Sequence, residues 1–162
     1  MQPVVVRIED LIGDIALMEH DDDGGLLVTF CDDSKELPFA ARKLWGLILL
    51  MSVRDRATSI HYHPWRSEGT LTYIVDGTRY ELVPPLTEYA DTIVDTARSM
   101  FIAPGFLSWL PGRALKRTAC RTLSLDVGGC AIVWDVVCWS SGERRGIEFF
   151  RVTPLEPRAS VE

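Results

Sequence analysis

The chain has 162 residues, a formal net charge of -6 and 47% hydrophobic residues. A single domain of this size can bury about 70% of its unfolded surface, so stability alone requires neither disulfides nor a structural metal. Acidic residues cluster, as at Asp21-Asp22-Asp23, while Lys116-Arg117 and Arg144-Arg145 are isolated basic pairs that read as solvated surface. A nucleic-acid groove needs Lys and Arg gathered on one face, so this class of partner is excluded.

The N-terminus MQPVVVRIEDL lacks a basic n-region followed by a long apolar run, and the apolar stretch 44–53 is too short to cross a bilayer. No direct membrane insertion is expected. The four cysteines, Cys31, Cys120, Cys130 and Cys138, show no C-x-x-C spacing and read as buried thiols in a reducing, cytoplasmic compartment.

In chain order, residues 4–33 form an interrupted pattern, with candidate strands at 15–18 and 26–30 around a turn-rich 21–25. The expectation is an N-terminal extension, 1–36, carrying an edge hairpin. Asp33 or Ser34 can cap a helix with Pro38 in its first turn, running to about Val53. Leu37, Ala41, Leu44, Ile48 and Met51 follow helical spacing, and Trp45, Leu47, Leu49 and Leu50 widen the apolar stripe almost all round. Ser59-Ile60-His61-Tyr62-His63 is a short strand stopped by Pro64, with both histidines on one face. Leu71, Tyr73 and Val75 alternate before Asp76-Gly77, and Tyr80 and Leu82 after it, which is a hairpin with a two-residue turn.

After Pro84-Pro85, Leu86, Tyr89, Ala90, Ile93, Val94, Ala97, Met100 and Phe101 repeat at three and four, predicting a second helix lying across the sheet. Pro104-Gly105 ends it. A second hairpin turns at Gly128-Gly129, and 146–152 is a last strand before a polar tail, 154–162. The fold class is α+β, with a largely antiparallel sheet of about six strands and two main helices, occupying 37–153 as one domain.

Two imidazoles at i and i+2 on a strand point the same way and can share a metal, with Glu68 available as a third ligand. This spacing resembles the first metal motif of cupins, and Phe101-Ile102-Ala103-Pro104-Gly105 looks like part of their second. The histidine that this second motif would deliver is missing, since the candidate positions hold Leu107, Ser108 and Trp109. The more ordinary reading is two half-exposed strand histidines. No G-x-S-x-G is present, and without a Gly-Lys dipeptide there is no G-x-x-x-x-G-K-[ST] cradle for nucleotide phosphates.

Read together, Ala57-Thr58-Ser59-Ile60-His61-Tyr62-His63-Pro64, Tyr73-Ile74-Val75-Asp76-Gly77 and Tyr80-Glu81-Leu82-Val83-Pro84-Pro85 match a known order of motifs. The chain resembles the domain that precedes the motor domain of type II secretion and type IV pilus assembly ATPases, with its A-S-D-I-H-x-E-P, arginine-rich strand and V-D-G. The Gly128-Gly129 hairpin and the Gly142-Glu143 turn into a last strand continue the match over about 38–152. The arginines that the family alternates before V-D-G correspond here to Thr72 and Ile74. Those of its second hairpin fall on Thr122, Asp126 and Asp135, and His63 replaces a glutamate. The resemblance implies an accessory domain without its motor, whose nucleotide-facing positions have lost their cations.

The expected function is a non-catalytic interaction module that needs no cofactor and binds a protein partner such as a secretion or pilus motor ATPase. Assembly with further copies of the chain is compatible with this. Trp45, Trp65, Trp109 and Trp139 are its candidate docking residues, since tryptophan is enriched at interface hot spots. The alternative is a small metal-binding enzyme or regulator using His61, His63 and Glu68.

Overall fold

The computed structural model describes residues 2–13, 30, 35–82, 87–102 and 118–157. Strand β1 (Val4–Arg7) leads into a short helix α1 (Ile8–Ile12), and the long helix α2 (Leu37–Arg54) follows. Strands β2 (Ser59–Tyr62), β3 (Leu71–Val75) and β4 (Thr78–Glu81) come next, then helix α3 (Ala90–Ala97). Strands β5 (Thr118–Val127), β6 (Cys130–Ser141) and β7 (Arg144–Arg151) complete the set. The strands form one seven-stranded sheet in the order β1-β5-β6-β7-β2-β3-β4. Every pairing is antiparallel except β1 with β5. The α+β class stands, with one strand more than expected.

That extra strand is β1. Within the N-terminal extension, Val4, Val5, Val6 and Arg7 pair with Leu123, Ser124, Leu125 and Asp126. The segment therefore reaches the sheet's edge through a parallel strand. The predicted strand 15–18 lies outside the described residues, as does 26–30 except for Phe30, whose ring stacks on Tyr89 at 5.4 Å.

Both hairpins turn as their residues require. Asp76 and Gly77 have φ of 50° and 78°, and Gly128 and Gly129 have 59° and 84°. Two successive positive φ values define the tight turn whose twist matches the flanking strands.

Helix α2 begins after Glu36, which makes no side-chain cap bond, and Pro38 sits in its first turn. The expected caps Asp33 and Ser34 lie outside the described residues. At the other end Arg56 takes a left-handed φ of 63°, its N–H bonding Val53 O at 3.2 Å. Ala57 N–H reaches Ser52 O at 2.8 Å. This is the Schellman arrangement, which satisfies the last carbonyls and stops the helix. Gly46 lies where α1 crosses α2; a β-carbon there would sit 2.4 Å from Ile12 Cγ2 and 2.8 Å from Leu11 Cβ. Glycine is therefore the residue that lets the two helices approach.

The second predicted helix is observed in three pieces. A 3₁₀ turn at Thr87–Tyr89 leads into α3, and a π turn at Arg98–Ile102 follows it. Ile93, Val94, Ala97, Phe101 and Ile102 are all buried. Among the described helices, none is long and apolar enough to cross a membrane.

The described helices pack on one face of the sheet. Trp45 is the centre of that core, with no exposed surface. Its ring meets Tyr62 edge-on at 5.8 Å and Phe149 at 5.5 Å, and its Nε1 donates to Ile93 O at 2.8 Å, linking α2 to α3 and to the sheet. Arg145 of β7 holds α3 from the same side through Asp91 at 3.4 Å and through Asp95. Arg145 is therefore a structural cation, not the solvated one its sequence context suggested.

Tyr73 Oη donates to Asp55 Oδ2 at 2.7 Å at the end of α2. Hydrogen bonds from Arg54 and then Tyr73 hold the Asp55 carboxyl below its ordinary 3.8, against the opposing effect of burial. Burial, followed by the Asp55 contact, pushes the Tyr73 phenol from 10.0 up to about 12. The Asp55 contribution is thus present above 3.8 and lost as pH falls through the lower folded value. The Tyr73 contribution is present below 10.0 and lost as pH rises towards about 12. Thermal unfolding followed against pH should show Tyr73→Phe with a flatter alkaline limb than the parent; an unchanged alkaline slope would assign that limb to another group.

Candidate polar centre on the sheet

Alternation along the strands puts the core side chains on the helix-covered face and a different set on the other. His61 pairs with Glu148 on β7 and with Thr72 on β3, and Ser59 pairs with Phe150 and Ile74. Val137 pairs with Glu148, Trp139 with Gly146, and Asp135 with both Phe150 and Thr122. All of these residues share the face opposite the described helices.

At the middle of that face one carboxylate oxygen accepts two imidazole hydrogen bonds. Glu148 Oε1 is 3.1 Å from His61 Nδ1 and 2.9 Å from His63 Nε2. The other nitrogen of His61, Nε2, is 3.0 Å from Ser59 Oγ. The imidazole rings are also held by aromatics. Trp65 stacks on His63 at 6.0 Å and Trp139 meets it edge-on at 5.7 Å, while Phe150 meets His61 edge-on at 5.6 Å. The guanidinium groups of Arg66 and Arg144 lie over Trp65, 4.9 and 4.6 Å from the ring centre. Trp139 reaches His63 because its indole lies across Gly146, where no side chain intervenes.

Electrostatics favour a neutral imidazole beside an ionised carboxylate. Burial pushes His63 below its usual range, and the Glu148 hydrogen bond opposes it only in part. Burial alone would raise Glu148, but the hydrogen bonds from His61 and His63 outweigh it and hold the carboxyl below its ordinary 4.5.

The two predicted histidines are therefore brought together on one face, although His63 is buried rather than half-exposed. Glu68 is exposed and stands outside the cluster; the carboxylate that joins the histidines is Glu148. The sequence carries a signal for it, a single charged side chain inside the otherwise apolar run Gly146-Ile147-Glu148-Phe149-Phe150. His20 lies outside the described residues.

Of the four tryptophans proposed for docking, Trp45 is fully buried in the core and cannot meet a partner. Trp65 is 40% exposed and Trp139 is half-buried, both beside His63, and Trp109 lies outside the described residues. The cysteines are not uniformly buried. Cys138 faces the core, and its thiol is pushed up by burial, but Cys120 and Cys130 are exposed. Cys130 opens β6 at the tip of a hairpin, and Cys31 lies outside the described residues. Beside the polar centre, Thr122, Asp135, Val137 and Phe150 help line a depression of about 510 Å³.

Neither the models of known protein families nor the curated proteins contain a match to this chain.

Proposed function

We propose that this chain is a non-catalytic protein-interaction module of the kind that precedes the motor in secretion and pilus ATPases, working in the cytoplasm on a protein partner from such an assembly. One observation carries the reading. Thr72, Ile74, Thr122, Asp126 and Asp135, the five positions matched to the family's arginines, come from three different strands and share the sheet face opposite the described helices, with Thr72 buried, Ile74, Thr122 and Asp126 half-buried and Asp135 exposed. A set of scattered positions that converges on one face is what a former ligand-facing surface would leave behind. Its present chemistry suits protein better than phosphate. Thr122 Oγ1 donates to Asp135 Oδ1 at 3.2 Å, and the same face carries Val5 at 71% exposure and Phe150 at 39%. Aromatic anchors ringed by polar groups are typical of interface centres.

Two measurements test this. Tag-free chain added to a lysate of its own host is expected to co-purify with a secretion or pilus motor ATPase, and a Trp65→Ala, Phe150→Asp double variant is expected to lose that partner. Equilibrium dialysis with ATP is expected to show no saturable binding at millimolar concentration. Failure to retain any such ATPase, or saturable micromolar ATP binding, would overturn the reading.

A further inference from the structure

We propose that His61, His63 and Glu148 form a binding site for one divalent transition-metal ion, with zinc as the reference case. This goes beyond the interaction reading and stands or falls separately from it.

The geometry makes the argument. One ligand atom from each of His61, His63 and Glu148 lies within 4.8 Å of the others, and Glu148 Oε1 is 3.1 Å from His61 Nδ1 and 2.9 Å from His63 Nε2. A metal about 2.0–2.2 Å from each of three N and O donors needs donor pairs roughly 3.0–3.5 Å apart, whether its coordination is octahedral or tetrahedral. The two His–Glu edges, at 3.1 and 2.9 Å, meet or closely approach that range, and the remaining His–His edge, bounded at 4.8 Å, has to shorten when the ion binds. Two imidazoles and one carboxylate form a donor set suited to zinc and its neighbours, whereas magnesium and calcium prefer oxygen alone.

Support around the ligands matches what a metal site requires. When His61 coordinates through Nδ1, its proton sits on Nε2, which then donates to Ser59 Oγ at 3.0 Å, the outer partner that fixes ring and tautomer. Trp65, Trp139 and Phe150 pack around the two rings and limit their rotation. The backbone adds rigidity, because His61 and Glu148 are directly opposed in the β2–β7 ladder. Three protein donors leave at least one coordination position for water or a fourth ligand.

The test uses the full chain, purified without a histidine tag and stripped with a chelator. Zinc titrated against a chromophoric indicator is expected to bind at one ion per chain. Glu148→Gln is expected to weaken binding by more than about 100-fold, beyond the 10- to 100-fold typical of losing an outer-shell partner, and Ser59→Ala by about 10-fold. Glu68→Gln is expected to bind as the parent does. Magnesium is expected not to compete. On the unaltered protein, nitrogen-detected imidazole NMR is expected to show the His61 and His63 signals moving with zinc while those of His20 stay fixed, a readout that needs no variant to fold. Unmoved His61 and His63 signals, including the case of zinc held by cysteine, would overturn the proposal. So would full affinity in a folded Glu148→Gln variant, or loss of affinity in Glu68→Gln.

Discussion

Trp45→Ala is expected to lower the unfolding free energy by about 3–5 kcal/mol, the range for removing a large aromatic from a packed core. Trp45 has no exposed surface and touches the sheet through Tyr62 and Phe149. Truncation leaves a cavity between α2 and β7 that neither rigid element can close, because each is fixed elsewhere by its own hydrogen bonds. It also removes the donor to Ile93 O, the polar tie between α2 and α3. Trp45→Phe separates the two effects. It keeps most of the apolar contact and loses the hydrogen bond, so a cost of about 1–3 kcal/mol is expected. Urea unfolding followed by far-UV circular dichroism should rank the parent above Trp45→Phe and Trp45→Phe above Trp45→Ala. A Trp45→Ala variant losing less than about 1 kcal/mol would mean that the core is not centred on this ring.

Gly146→Ala is expected to destabilise by about 1–3 kcal/mol despite replacing glycine in the interior of a strand. Two effects oppose each other. Alanine restricts the unfolded chain and should gain roughly 0.5–1 kcal/mol. Against this, the new β-carbon would lie 2.6 Å from Trp139 Cζ2, 2.8 Å from Trp139 Cε2 and 3.0 Å from Tyr62 O. The indole can move aside but the backbone carbonyl cannot, so overpacking wins. Because Trp139 packs against His63 at 5.7 Å, the variant should also disturb the polar centre. Shifted His63 ring resonances with lowered stability are the expected pair of readouts; an unchanged His63 ring would show that Trp139 does not position it.

Local patterns read correctly wherever one physical cause dominated. Asp76-Gly77 and Gly128-Gly129 became tight turns because few residues accept positive φ. Alternation in 123–127 became a strand with one buried face, and 71–75 became a strand in which Thr72, on the opposite face, is buried as well. Where causes competed, the reading was less complete. The periodic run from 86 to 101 predicts one helix, yet a 3₁₀ turn, an α-helix and a π turn share it. Apolar spacing is satisfied by burial and does not specify the hydrogen-bond register. Val4-Val5-Val6 belongs in sequence to an interrupted stretch, because a four-residue strand is too short for its alternation to stand out. Its identity depends on β5, more than a hundred residues away in sequence.

The polar centre divides the same way. The sequence by itself determined that His61 and His63 share a face, since strand geometry fixes i and i+2 on one side. It also determined that the phosphate-binding loop is absent and that the turns close two hairpins. Only the tertiary structure decided which carboxylate meets the histidines. Glu68 is near in sequence and stands apart, while Glu148 is 85 residues beyond His63 and is hydrogen-bonded to it. The reason is that strand alternation is a local property of the chain, whereas the neighbour of β2 is set by how the whole sheet assembles. Placing β7 against β2 buries Ile147 and Phe149 with Ile60 and Tyr62 on one face. The same register leaves Glu148 directly opposite His61 on the other.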